Sequence, residues 1–375
     1  MITIRDLGRG NALGILRLLF ASLVIISHTA EIRDGSRERE VLTRIFGTLS
    51  FGELAVDAFF VISGYLIVAS FMASSSALDY MKKRVLRIMP GFFVASFVSL
   101  LIIAPLVGAS LHEVLGHLPR YVVTIAVLHH IDVPGTFPGL GYNLVNGSLW
   151  TIAYEFRCYL LVVVLGVTGC FRFPKAIALT AIVMMALYLF GPTETIKAGS
   201  DRLPLNNVWL GMPTATLRLT AIFLIGSCFY LWRDRIVVSP RGALFAALAL
   251  IGCMCVPKLA EIGVAVFGGY LIFAFAYWGK GSMLERINNR TDISYGTYLY
   301  GWPIGAAVLW FLPGLPLSVA TGLAVIASMA MGWLSWHVVE KPAIRAFQPQ
   351  RDRSDQAVAV VSPSIGQGYS PQLHP

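Results

Sequence analysis

Long apolar runs separated by short polar segments set the pattern of this chain. A helix needs about 20 mostly apolar residues to cross a bilayer. Ten runs approach that length, at about 12–30, 53–73, 88–108, 146–167, 174–191, 212–232, 241–256, 259–278, 293–312 and 315–337. They are continuous rather than alternating, so they predict helices and not barrel strands. A shorter stretch, about 121–131, predicts an interfacial or re-entrant segment. Arg17 interrupts the first run and no small-x-small cleavage site follows, which predicts a retained anchor rather than a cleaved leader. The expected fold class is therefore all-α: a polytopic transmembrane helical bundle of about ten spans within residues 1–345. From residue 346 the composition turns to Gln, Ser, Pro, Asp and Gly, which predicts a disordered cytoplasmic tail over 346–375.

Composition narrows the class further. Of 375 residues, 56% are hydrophobic and 13% charged, with a mean hydropathy of +0.71. Soluble domains carry about 25% charged residues. That difference argues against a soluble enzyme, a disordered chain, a nucleic-acid-binding domain and a disulfide-rich secreted domain. The five cysteines, Cys158, Cys170, Cys228, Cys253 and Cys255, lie in or beside apolar runs and read as small buried hydrophobes. HEVLGH at 112–117 imitates a zinc-protease helix, but three residues separate Glu113 from His117 where that motif has two. No metal site is expected, since the adjacent His129 and His130 complete no metal-binding motif in the sequence.

The net charge of +9 has a location. With the N-terminus inside, the inner segments hold 18 Lys and Arg and the outer loops eight. Cations favour the cytoplasmic side of spans, so both termini are expected inside.

Ionisable residues within spans are costly and mark functional sites by default. Here they are Arg17, His28, Asp57, Glu155, Arg157 and Arg218. His28 follows Arg17 by eleven positions, about three helical turns, so they share one stripe about 16 Å apart along the axis. The bland alternative is a snorkelling arginine and an interfacial histidine. Glu155 is expected at a depth similar to His28, where a carboxylate orients an imidazole; a structural pairing with Arg157 or Arg218 is the alternative. Asp57 lies near the outer end of the second span, and Ser63 and Gly64 lie mid-span, where small residues let helices pack closely. After that span come Lys82, Lys83, Arg84 and Arg87. They read either as positive-inside anchoring or as a grip for a phosphorylated cytosolic ligand.

Together these motifs resemble the acyltransferase-3 family of bacterial integral-membrane acyltransferases, over nearly the whole chain. The carriers are Arg17 and His28 with ten residues between them, AVDAFFVISGYLI, KKRVLRIMP, GSLWTIAYEFRCYLL with Trp150, DISYGTYLYGWPI with Tyr295, and HVVEKPAIR with Glu340 and Pro342. Many members have a histidine two residues before the late proline; Gly301 stands there in this chain. The extracytoplasmic esterase-like domain fused to some members is not expected here, so a second transfer step is expected to need a separate protein.

The resemblance implies transfer of an acyl group, usually acetyl from acetyl-CoA, to a hydroxyl of exopolysaccharide, O-antigen, peptidoglycan or a lipid-linked precursor. It implies a multi-pass protein of the bacterial cytoplasmic (inner) membrane, with no permanently bound cofactor, no nucleic-acid partner, and polysaccharide-assembly proteins as possible partners. It assigns His28 as essential base or transient acyl carrier and Arg17 as its charged companion. Asp57, Ser63, Gly64, Trp150, Tyr295 and Glu340 are supporting motif residues, and Lys82, Lys83, Arg84 and Arg87 are the expected donor grip. Acceptor choice is expected to rest on outer loops 31–52 and 109–145. The rival readings are a secondary transporter and a non-catalytic component of a glycan-assembly complex.

Overall fold

The computed structural model describes residues 2–8, 10–129, 131–192 and 211–346. The expected tail lies outside them from residue 347 on. Among the described residues there is no strand, only an isolated bridge between Thr3 and Val237. Each of the ten apolar runs falls on a helix: α1 Leu13–Asp34, α2 Phe51–Met72, α3 Ala77–Leu106, α4 Trp150–Val167, α5 Pro174–Phe190, α6 Pro213–Leu231, α7 Pro240–Met254, α8 Pro257–Trp278, α9 Ser294–Phe311 and α10 Leu317–Ala346. Among the described residues, seven helices are long and apolar enough to cross a membrane; α5, α7 and α9 are not among them. The weak stretch near 121–131 is a short helix, Leu118–Ala126, preceded by Leu111–Gly116.

Local chemistry sets the boundaries. Ser50 and Glu53 form a capping box that starts α2. Ser76 caps α3, accepting from the Asp79 amide. Prolines open α5, α6, α7 and α8, where a missing N–H costs nothing. Gly35 ends α1 in the left-handed conformation, so α1 continues past residue 30 to Asp34. Pro303 sits inside α9 and removes the partner of the Leu299 carbonyl. The Asn146 side chain replaces it, donating at 2.9 Å, and so pins the start of α4 to α9.

Two glycine contacts bring helices close. A Cβ on Gly64 would lie 2.0 Å from the Phe223 carbonyl, and one on Gly226 would lie 2.2 Å from the Val61 carbonyl. Thus α2 and α6 touch backbone to backbone. α1 packs between α2 and α9, and α10 covers α9. The large apolar side chains of α5 and α7, such as Leu179, Ile182, Leu244, Phe245 and Leu248, are exposed, as lipid-facing residues should be.

The loops sort to two ends. At one, the N-terminal segment pairs with the α6–α7 loop (Ile4 N–H to Ile236 carbonyl, 3.0 Å), and Asn288 donates to Gly14 at 2.9 Å. At the other, Arg33 donates to Leu315 at 2.9 Å and Thr48 to Met254 at 2.7 Å. Of the cysteines, Cys158 and Cys228 are buried, whereas Cys255 at the end of α7 is exposed, against the sequence expectation.

Candidate active site

A cavity of about 1160 Å³ opens among α1, α2, α3, α4 and α9. It brings together many of the expected residues: Arg17, Ser63, Lys82, Lys83, Arg84, Arg87, Glu155 and Tyr295 all line it. Its remaining wall is largely apolar, from Val56, Phe59 and Phe60 to Leu86 and Ile152.

The basic residues lie on the first turns of α3 and have different partners. Arg87 donates to Asp292 at 2.5 Å and to Glu340 at 3.0 Å. Arg17 reaches the same Asp292 oxygen at 2.7 Å. Ser294 and Asn288 donate to the other Asp292 oxygen. Burial alone would raise the Asp292 carboxyl, but the facing Arg17 and Arg87 guanidiniums overcome it and hold it well below the usual carboxylate range. A π turn over Trp336–Glu340 lets α10 deliver Glu340, which also accepts from Ser335 at 3.0 Å. Tyr295 stacks beside the Arg87 guanidinium at 5.6 Å and donates to the Ile88 carbonyl. The ends of four helices are therefore joined by one partly buried ion network.

Arg84 is different. Its guanidinium lies 6.0 Å from the rings of Tyr80 and Tyr159, and its buried Nε has no hydrogen-bond partner. A buried, unmatched donor on a cavity wall is costly unless something accepts from it. Lys83 is exposed and paired with Asp79 at 2.8 Å. Lys82 is exposed at the cavity rim.

Deeper in the cavity, Glu155 accepts from Ser63 at 3.1 Å and from Tyr159 at 2.6 Å. Ser63 thus faces the cavity, while its neighbour Gly64 makes the α2–α6 contact. Beyond them, Tyr298 donates to the Ser148 carbonyl at 2.9 Å, pairs with Thr151 at 2.6 Å, and lies edge-on to Phe59. Trp150 packs against Tyr154.

His28 is absent from the cavity wall. It lies edge-to-face with Trp302, ring centroids 4.8 Å apart, and Trp302 is one turn beyond Tyr298 on α9. Trp302 lies about 6 Å further along α9 than the lining residue Tyr298, so His28 sits beyond the Tyr298 end of the cavity. The carboxylate beside His28 is Glu31, at 3.2 Å from Nδ1. This corrects the expectation that Glu155 orients the imidazole. Glu31 holds Arg37, which pairs with Glu53 in the first turn of α2. Glu155 instead sits opposite Ser63, ten residues further along α2, about 15 Å deeper at 1.5 Å per residue. The two structural partners considered for Glu155 are otherwise engaged. Arg218 pairs with Asp57 at 2.6 Å and Glu261 at 2.9 Å, and Arg157 stacks over Tyr154.

Four residues escaped the sequence reading. Asp292 stood at the head of a motif already singled out. Glu31 was legible from its i, i+3 spacing to His28, had α1 been extended past residue 30. Arg37 and Glu261 carried no local signal.

The fold and this charged, cavity-centred site describe a membrane-embedded enzyme. The family described as "Acyltransferase domain" matches residues 11–337. The chain belongs to that family, and it is an acyltransferase. Among curated relatives, a protein named O-acetyl transferase from Shigella phage Sf6 is 26% identical over 91% of this chain and 98% of its own length. Nodulation protein 10 of Rhizobium leguminosarum bv. viciae is 26% identical over 90% of this chain and 94% of its own. A protein named acyltransferase MdmB, from Streptomyces mycarofaciens, is 25% identical over 90% and 92%. No solved structure matches the chain.

Proposed function

We propose that this enzyme moves an acyl group, acetyl by preference, from a cytoplasmic acyl-CoA to a hydroxyl of an extracytoplasmic or lipid-linked glycan such as exopolysaccharide or O-antigen. The observation that carries this reading is the cavity of about 1160 Å³. It has a basic mouth and an apolar interior, which suits a donor with a phosphorylated nucleotide and a long, thin pantetheine arm. The reading adopts ten spans with both termini inside, in a bacterial inner membrane. This orientation turns the Lys82–Arg87 mouth to the cytoplasm, where acyl-CoA is made. The donor phosphates meet Lys82, Lys83 and Arg84, and the arm passes Arg17 and Ser63 towards the Phe59–Tyr298 end. The acceptor hydroxyl arrives from the outer side.

His28 is the base. Its imidazole takes the hydroxyl proton as the oxygen forms a C–O bond to the acyl carbon. The C–S bond breaks, and the imidazolium returns the proton to the departing thiolate, releasing CoA as its thiol. A hydroxyl is a poor nucleophile without such a base. Arg17, tied to Asp292 near the mouth, keeps positive charge beside the donor.

The test uses purified protein in lipid nanodiscs with acetyl-CoA, beside mass spectrometry of surface glycans from cells. Wild type should cleave the thioester and acetylate glycan. His28→Ala should abolish transfer, and Arg17→Ala should greatly reduce it, at unchanged protein level. Full glycan acetylation in cells carrying His28→Ala would sink the proposal. So would a purified wild-type protein that never uses acetyl-CoA, which would favour a transporter or a non-catalytic partner.

A further inference from the structure

We infer that Glu31 is the positioning residue that sets the tautomer of His28, and that Arg37 and Glu53 lock it in place. The inference rests on His28 being the base, as proposed above.

The starting point is helix geometry. Residues three apart on a helix face each other across one turn. α1 continues through Glu31 because Gly35, not an earlier residue, ends it. The Glu31 carboxylate then lies 3.2 Å from His28 Nδ1. A carboxylate only accepts hydrogen bonds. The proton of a neutral imidazole must therefore sit on Nδ1, which leaves the Nε2 lone pair to act as base. When Nε2 takes up the acceptor proton, the same carboxylate faces the new positive charge.

The carboxylate is itself held. Its second oxygen accepts from Arg37 Nε at 3.2 Å, and Arg37 Nη1 lies 2.7 Å from Glu53. The other Glu53 oxygen accepts from the Ser50 amide at 3.0 Å, as part of the α2 capping box. The chain of contacts thus runs from the imidazole through α1 and the α1–α2 connection to the first turn of α2. Glu31 has 8% side-chain exposure and His28 has 17%, so water competes little for this pair. Trp302 is fixed by donating to the Leu144 carbonyl at 2.9 Å, and its ring holds the imidazole from the side. Glu31 touches no reacting atom in this scheme; it acts through His28.

A merely structural tie between α1 and α2 would also use these contacts, so the test needs readouts that such a tie does not move. Steady-state kinetics in nanodiscs with acetyl-CoA are combined with ¹⁵N NMR of histidine-labelled protein, the His28 signal assigned by its loss in His28→Ala. In Glu31→Leu, kcat should fall about 100-fold, within the usual reach of general base catalysis. The donor KM should stay within about twofold, since the donor mouth is untouched. Glu31→Gln still offers an oxygen to Nδ1–H but no charge, so its kcat should fall about tenfold, between wild type and Glu31→Leu. NMR should show Nδ1–H in wild type and a mixture with Nε2–H in Glu31→Leu. If Glu31→Leu does not fold, the Glu31→Gln kinetics and the wild-type tautomer decide alone. An inactive His28→Ala beside a fully active Glu31→Gln, or a wild-type Nε2–H tautomer, overturns the role of Glu31 and leaves the proposed function standing. An active His28→Ala overturns the reading beneath it.

Discussion

The two ends of α1 hold charge in opposite ways. At the inner end of the proposed topology, Arg17 shares Asp292 with Arg87, and Arg87 also holds Glu340. Long-range ion pairs there gather α1, α3, α9 and α10 around the mouth of a large cavity. At the outer end, His28 has a charged neighbour on its own helix, and the ion pairs run from there into the next connection and the first turn of α2. The first arrangement distributes charge over four helices; the second fixes one ring. A network of the first kind suits a charged, bulky ligand. A pair of the second kind suits proton transfer, where one atom must face one way. The shared helix stripe relates the two sites, but it does not make them one site.

The largest effect expected from breaking this contrast is at Asp292. Asp292→Asn leaves two partly buried guanidiniums with Glu340 as the remaining carboxylate in the network. Breaking one partner of a buried pair costs about 3–5 kcal/mol. The melting temperature in detergent should drop sharply. An unchanged melt would show the inner network to be as local as the outer pair. The pH dependence has a definite sign. A carboxylate held below its ordinary value gives its full stabilisation above that value, near 4, and loses it only as pH falls through the lower folded value. Melting between about pH 5 and 9 should therefore not move through Asp292.

Arg84 and Arg87 sharpen the same contrast within one turn of α3. Arg87 is committed to Asp292 and Glu340, whereas the Arg84 Nε has no hydrogen-bond partner. Arg84→Gln should leave the melt unchanged and raise the donor KM about tenfold or more, as loss of a charge-assisted bond of about 1.5–3 kcal/mol predicts. Arg87→Gln should instead lower the melt. Equal losses of donor affinity without destabilisation in both variants would merge the two roles and restore the undivided basic grip.

How much of this was legible beforehand follows from the range of each interaction. Helices were readable because bilayer thickness imposes a run length, and all ten runs lie on helices. The Arg17–His28 stripe was readable because helical periodicity is local. The partner of His28 was misread for a boundary error of four residues: the run of apolar residues stops near 30, but the helix stops at Gly35. The Asp292–Arg17–Arg87–Glu340 network joins residues up to 275 positions apart, and spacing carries no trace of such pairings. The split between Ser63 and Gly64 was half legible. Small residues signal packing, but which of two neighbours faces a helix and which faces a cavity depends on the rotation of α2.

The smallest expected effect tests how tightly the outer end is set. Gly301 lies against α1. A Cβ placed there would meet Ile25 Cγ1 at 2.7 Å, and Ile25 is three residues before His28. Gly301→Ala must push α1 from α9, or bend the Ile25 rotamer, beside the His28–Trp302 contact. Overpacking of this kind costs about 1–2 kcal/mol. The melt should fall slightly, while kcat falls more than donor KM rises, because the imidazole shifts and the donor mouth does not. Ile25→Ala removes Cγ1 itself, so adding Gly301→Ala to an Ile25→Ala background should cost no further melt and no further kcat. A further loss of kcat without a loss of melt in that background would mean that the glycine serves the reaction through something other than clearance for α1. A loss of donor affinity in Gly301→Ala would show that strain at the outer end travels down the helix, and that the two ends of α1 are coupled after all.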